Sequence, residues 1–270
     1  MKPVDLHLVS WNRPEMTELV IRTIHKNTKR ENFRLVVWDN GSAESTQEML
    51  KDMGENGLID ELTLSPKNIG LEAARQELFK STFLHDGWDS QSRYFVCIDN
   101  DCLPPPIQDG KDWLERLVEL VEKYEDFAAI SMRTQVMIGT GNIFEEADQV
   151  GDDIVEFPHP GGSFRIMRTE AVRQVGGWDR EASGRGAEER YICGKLRDAG
   201  YRTAFAANVR TLHLFGVRTQ TTERWGYTDG MRPEETGHSD IAHPALTSGD
   251  NFDEVKAYSG EDLAKRYFKC

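Results

Sequence analysis

One stretch limits what this 270-residue chain can fold into more than any other: Arg93-Tyr94-Phe95-Val96-Cys97-Ile98-Asp99-Asn100-Asp101-Cys102-Leu103-Pro104-Pro105-Pro106. An almost unbroken apolar run of strand-forming residues ends in two carboxylates. Prolines follow, which lack the N–H a ladder needs and turn the chain out of the sheet. This is the pattern of a buried strand carrying acid to a sheet edge. In open α/β sheets ligands collect at the carboxyl ends of the strands. Asp99 and Asp101, one residue apart, are hard oxygen ligands suited to Mg2+ or Mn2+ with a phosphate completing the shell. The competing reading makes both of them turn formers that bond their own backbone, so the motif takes its weight from what stands before and after it.

Before it the chain alternates strand and helix. Residues 4–9 predict a strand that ends in the loop Ser10-Trp11-Asn12-Arg13-Pro14. From Pro14 the apolar positions Met16, Leu19, Val20 and Ile24 recur at helical spacing. A second strand at 33–38 closes on Asp39-Asn40-Gly41-Ser42 and feeds a helix through Met49 and Leu50. A third, at 59–64, passes through Ser65-Pro66-Lys67-Asn68-Ile69-Gly70 into a helix over 71–79. Three strand-helix units ahead of a fourth strand predict a mostly parallel sheet with right-handed crossovers.

After the motif, Trp113, Leu117, Leu120, Val121 and Tyr124 mark a helix and 127–131 a strand. Between 132 and 160 the periodicity fades and acids dominate, which predicts an exposed connection. A glycine-led strand follows at 161–167. Thr169 is the expected cap of a short helix that Gly176-Gly177 stops. A further helix is expected over 187–199, with Glu188 and Glu189 in its first turn, where the helix dipole favours anions. Two short strands, 203–206 and 209–213, finish the pattern. Beyond residue 215 the chain turns polar and irregular, with Arg218, Arg224, Trp225 and Tyr227 among turn formers. That is the composition expected of a substrate-ordered lid.

Composition excludes several classes. The formal net charge of -13 argues against passive capture of nucleic acid or anionic lipid. No run of about 18 apolar residues is present, and the N-terminus enters a strand directly. The expectation is therefore a cytoplasmic protein with no membrane span. Cys97, Cys102, Cys193 and Cys270 have none of the paired spacings of a zinc site and read as free thiols.

Taken in order, these motifs resemble the GT-A nucleotide-sugar glycosyltransferases, most closely the inverting family 2 type, over roughly residues 3 to 216. Ser10-Trp11-Asn12-Arg13 resembles that family's first-strand exit. Trp38-Asp39-Asn40-Gly41-Ser42 is similar to its Asp-(Asp/Asn)-Gly-Ser signature, and Asn68-Ile69-Gly70 with Ala74-Arg75 to its Asn-x-Gly…Ala-Arg segment. Asp99-Asn100-Asp101 stands in the place of its Asp-x-Asp. Gly161-Gly162-Ser163-Phe164 with Arg168, and Gly176-Gly177-Trp178-Asp179, resemble its acceptor half. Glu188-Glu189 stands where Glu-Asp is usual, and His213 matches a late histidine.

The resemblance implies an α/β GT-A (Rossmann-like) domain with a mostly parallel sheet flanked by helices. It would span residues 1–216, as a nucleotide-binding half (1–106) and an acceptor half (107–216), with a C-terminal lid or extension over 217–270. It implies donor-binding roles for Ser10, Asn12, Arg13, Asp39, Asn68, Gly70, Arg75 and Asp99. It implies metal ligation of Mn2+ or Mg2+ by Asp99, Asp101 and His213, and a general base at Glu189, with Glu188 or Asp179 as alternates because glutamate replaces aspartate. The reaction implied is inverting transfer from a nucleoside diphosphate sugar, UDP-linked by preference, to a hydroxyl. Glycan, protein, lipid-linked and modified nucleic acid acceptors all stay open. Two rivals stand beside it: a sugar-phosphate nucleotidyltransferase, which would show a glycine-rich basic loop after the first strand, and a non-catalytic sugar-nucleotide or glycan binder.

Overall fold

The structure, a computed structural model, describes residues 3–83, 92–134, 149–151, 153–161, 163–178 and 187–213. The first half is β1 (Val4–Ser10), α1 (Pro14–Asn27), β2 (Phe33–Asp39), α2 (Glu44–Glu55), β3 (Glu61–Leu64), α3 (Leu71–Phe83) and β4 (Tyr94–Asp99). β1 lies between β2 and β4, and β3 flanks β2, all in parallel. Parallel pairing brings every strand's carboxyl end to one edge. There Ser10 lies opposite Asp39, Val9 opposite Asp99, and Asp39 opposite Leu64. α1 starts at Pro14, whose missing N–H costs nothing at a first helical position. It buries Met16, Val20, Ile21 and Ile24 against the sheet.

The second half comprises β5 (Cys102–Leu103), α4 (Trp113–Lys123), β6 (Phe127–Thr134), β7 (Gln149–Val150), β8 (Ile154–Glu156), β9 (Arg165–Arg168), α5 (Thr169–Gln174), α6 (Ala187–Asp198) and β10 (Arg202–His213). The ten-stranded sheet runs β3-β2-β1-β4-β9-β6-β10-β8-β7, with β5 paired to β10. β9 is inserted antiparallel between β4 and β6, while β6 and β10 are parallel. The sheet is mixed, and its first half, β1 to β4, is parallel, as expected for the GT-A architecture. Asp112 and Glu115 close a reciprocal capping box on α4. No helix among the described residues is long and apolar enough to cross a membrane.

Three sequence expectations are corrected here. The stretch 132–160 is not only a connection: β6 runs on to Thr134, and β7 and β8 form an antiparallel pair whose β8 extends the sheet beside β10. The two strands at 203–206 and 209–213 are one strand with a register shift between Ala206 and Arg210, a bulge that bends the strand without ending it. Thr169 does not cap α5; it is the helix's first residue, and its Oγ1 donates to the Ser92 carbonyl at 2.9 Å. The expected lid and extension over 217–270, Asp179, and Cys270 lie outside the described residues.

Candidate active site

The edge formed by β1, β2 and β4 carries the acidic motif. The carboxylate oxygens of Asp99 and Asp101 and the Cys102 sulfur all lie within 4.8 Å of one another. Asn100 Nδ2 donates to Thr17 Oγ1 at 3.0 Å, which ties the turn to α1. Each carboxylate is paired with an arginine: Arg75 Nη2 donates to Asp99 Oδ1 at 2.6 Å and Arg13 Nη1 to Asp101 Oδ2 at 2.9 Å. Both acidic side chains keep some solvent exposure. Two hard carboxylates at one open sheet edge are the donor type that a divalent cation of the Mg2+ or Mn2+ class takes, and a cation bound there would compete with Arg75 and Arg13 for them.

β10 ends in antiparallel pairing with β5, with His213 opposite Cys102, so the chain brings His213 to the strand position beside Asp101. The Cys102 thiol donates to Ser163 Oγ at 3.1 Å, which links the glycine-led acceptor segment to the acidic turn. Burial and the charges of Asp101 and Asp99 push this thiol well above its ordinary range, so it stays protonated.

The donor-side residues form a tied set of loops. Ser10 is buried at the end of β1. Asn12 and Arg13 adopt left-handed backbone with φ of 50° and 57°, a conformation unusual outside glycine and found where surroundings enforce it. The enforcement is visible: Asn12 N–H donates to Ser42 Oγ at 2.7 Å, and Asn12 Oδ1 accepts from Ala43 N–H at 2.9 Å.

Asp39 is 0% exposed. Its carboxylate accepts from the Ser42 N–H at 3.0 Å, from Gln47 Nε2 at 3.1 Å and from the Ser42 hydroxyl. Asp39 therefore builds the loop around it. Asn40 donates to Asn68 Oδ1 at 3.0 Å and accepts from Ile69 N–H at 3.0 Å, and Gly70 N–H donates to Asn68 Oδ1 at 2.8 Å. Gly41, with φ of 74°, permits this approach: a Cβ there would stand 2.2 Å from the Lys67 carbonyl carbon.

α6 opens with two glutamates in contrasting surroundings. Glu188 is 3% exposed, and its Oε1 accepts from Arg165 Nη2 at 2.5 Å and from Trp178 Nε1 at 2.6 Å, with Arg75 Nε at 3.4 Å. Burial pushes its carboxyl upward, but the charges and hydrogen bonds of Arg165, Arg75 and Trp178 outweigh that and hold it below its ordinary value. Glu189 is half-buried; burial, and then the negative charge of Glu188, raise its carboxyl above the ordinary value. Environments that drive two neighbouring carboxyls apart are how a site separates a permanently ionised group from a proton acceptor.

The turn that delivers Trp178 is held by Gln76: Trp178 N–H donates to Gln76 Oε1 at 2.6 Å, and Gln76 Nε2 donates to the Gly176 carbonyl at 3.3 Å. The structure thus brings Asp99, Asp101, Arg13, Arg75, Glu188 and Glu189 into one connected region, with Ser10, Asn12, Asp39, Asn68 and Gly70 in the adjoining loops. Sequence reasoning missed Arg165 and Gln76. The signal for Arg165 was a charge inside the apolar run Phe164-Arg165-Ile166-Met167, where a buried cation demands a partner.

A mixed sheet whose parallel half delivers an Asp-x-Asp turn, with an antiparallel strand inserted beside it, is the GT-A fold of glycosyltransferases. The chain belongs to glycosyl transferase family 2, whose model matches residues 6–176. Solved structures with the same fold include GalNAc-T7 with UDP, GalNAc and Mn2+, at 15% identity and a TM-score of 0.60 over 78% of this chain; this chain spans 43% of that protein's length. The mannosyltransferase PcManGT from Pyrobaculum calidifontis with GDP-Man and Mn2+ is similar at 15% identity and a TM-score of 0.57, covering 98% of this chain and 82% of its own. S. aureus TarS is similar at 14% identity and a TM-score of 0.56, covering 77% and 36%. No curated protein sequence matches the chain.

Proposed function

We propose that this chain moves a sugar from a nucleoside diphosphate sugar, UDP-linked by preference, to an acceptor hydroxyl with inversion at the anomeric carbon. The observation that carries the reading is the junction at Arg75, whose guanidinium touches Asp99 at one end and approaches Glu188 at the other. The acidic edge and the start of α6 are thereby joined through one buried guanidinium. The ligands in the GalNAc-T7 and PcManGT structures, a nucleotide or nucleotide sugar with Mn2+, support the donor class.

Asp101 and Asp99, with His213 at the adjoining strand end, would hold the divalent cation. When bound it supplies Lewis-acid neutralisation of the departing diphosphate. Arg13 and Arg75 add cationic charge facing the same oxygens, and the tied loops of Ser10, Asn12, Asp39, Asn68 and Gly70 shape the nucleoside side. Asp39 acts through the Ser42 loop, since its carboxylate is buried in internal hydrogen bonds. Glu189, whose proton affinity is raised, accepts the proton of the attacking hydroxyl at its carboxylate, while Glu188 stays ionised between its arginines. Attack from the side opposite the leaving diphosphate inverts the centre in one displacement.

The test is a panel of UDP- and GDP-sugars incubated with the chain and Mn2+, with nucleoside diphosphate release and sugar transfer read together. Turnover of one donor that stops on chelation is expected. Binding without turnover of any donor would replace the enzyme with a sugar-nucleotide binding protein.

A further inference from the structure

Arg165 opens β9 in the middle of the sheet, opposite Cys97 of β4 on one side and Ser131 of β6 on the other. Its side chain is 0% exposed. A guanidinium withdrawn from water is tolerated only where anions and acceptors replace the solvent. Here Nη2 meets Glu188 Oε1, Nη1 lies 3.4 Å from the Pro160 carbonyl, and Nε has no acceptor among the described residues. Nothing about the strand requires a cation at this place, and its flanking residues Phe164, Ile166 and Met167 are buried apolar groups.

Following the contacts outward gives a continuous path: Arg165 to Glu188, Glu188 to Arg75, Arg75 to Asp99. Four elements meet along it, β9, α6, α3 and β4, and the charges alternate so that two cations balance two anions. Glu188 Oε1 is the crowded point, since Arg165, Trp178 and Arg75 all address that one atom. Arg75 is 1% exposed, and both Asp99 and Glu188 compete for its guanidinium. Without Arg165, Arg75 would be the one cation left against Glu188 among the described residues; it would be drawn from Asp99, and the first turn of α6, where Glu189 sits, would loosen.

We infer that Arg165 is a positioning residue which, through Glu188 and Arg75, fixes the Glu189 end of α6 relative to Asp99. The inference rests on the donor and base assignments of the proposed function. A purely structural ion pair is the alternative. It would alter the melting temperature and leave the turnover of folded protein unchanged.

The experiment compares kcat, donor KM and melting temperature for the full chain, Arg165→Met, Arg165→Lys and the double variant Arg165→Met with Glu188→Gln, alongside calorimetric binding of UDP and GDP with Mn2+. Misplacement of reacting groups costs about 100-fold in rate, so Arg165→Met should lose about 100-fold in kcat with donor KM moved by less than about threefold, the pattern of lost positioning without lost ground-state binding. Arg165→Lys keeps the charge but not the fork, so it should recover only part of kcat. The double variant, which removes the buried pair as a unit, should regain most of the melting temperature while kcat stays low. Wild-type kcat in Arg165→Met, or recovery of kcat together with stability in the double variant, overturns the inference. A wild-type chain that neither binds UDP or GDP with Mn2+ nor turns over any donor overturns the proposed function, and this inference with it.

Discussion

Glu188 and Glu189 are adjacent acids whose surroundings shift their carboxyls in opposite directions. Glu188 is spent on Arg165, Trp178 and Arg75, while Glu189 keeps a raised proton affinity. Replacing Glu189 by Gln should preserve donor binding and reduce transfer by roughly two to four orders of magnitude, the scale of a lost general base. Equal transfer in wild type and Glu189→Gln would move the role elsewhere. The same carboxyl sets a pH expectation: a base must be ionised, so kcat falls as pH drops through a value above glutamate's ordinary 4.5. An acid limb at or below that ordinary value would contradict the assignment. The sequence singled out Glu189 as base, with Glu188 as an alternate, only through the family resemblance; by local pattern both glutamates read as first-turn helix acids, and the contrast in their proton affinity was not legible. What separates them is the arrival of Arg165 from β9 and Trp178 from a distant turn, contacts that no local pattern encodes.

The elements of the nucleotide-side half were legible because each is marked locally. β1, β2 and β4 are apolar runs that end in polar turns, α1 begins at Pro14, and of the periodic positions Met16, Val20, Ile24, Trp113, Leu117 and Val121 are buried while Leu19, Leu120 and Tyr124 are half-buried. β7 and β8, of two and three residues, are too short to show a period, and the bulge at Ala207 and Asn208 looked like a break. The loops between these elements make their own prediction. Gly41→Ala introduces both left-handed strain and a Cβ at 2.2 Å from Lys67 backbone, so it should cost about 2–4 kcal/mol. Gly57→Ala shares the backbone conformation, φ 73°, but its Cβ meets nothing within 4 Å; it should cost about 1–2 kcal/mol. Denaturant midpoints compare the two, and equal losses would mean that the approach of the β2 and β3 loops contributes nothing to stability.

At the scale of the molecule, strand order was only half readable: the period of a strand shows its faces but not its direction, so the antiparallel insertion of β9 between β4 and β6 emerged only from the structure. That insertion matters because it carries Arg165 to the centre of the sheet. Global stability should also depend on His7, buried in β1 with Nε2 at 3.0 Å from Thr82 Oγ1 and its pKa lowered to about 3 by burial and by Arg75 and Arg34. The unfolded chain, with an ordinary value of 6.5, takes up a proton that the folded chain refuses. The stabilisation is therefore complete above pH 6.5 and is lost as pH falls toward 3, at about 1.4 kcal/mol per pH unit. The difference in unfolding free energy between wild type and His7→Gln should show this slope between pH 6 and 4, and parallel curves would show that His7 titrates normally in the fold. The central claim is that the Asp99–Asp101 edge is a metal-dependent donor site. Its most direct test is nucleoside diphosphate release from a nucleotide-sugar panel with Mn2+, for wild type and Asp101→Ala, before and after chelation. Release by the wild type alone, abolished by chelation, is the predicted result; release that survives either chelation or Asp101→Ala would contradict it.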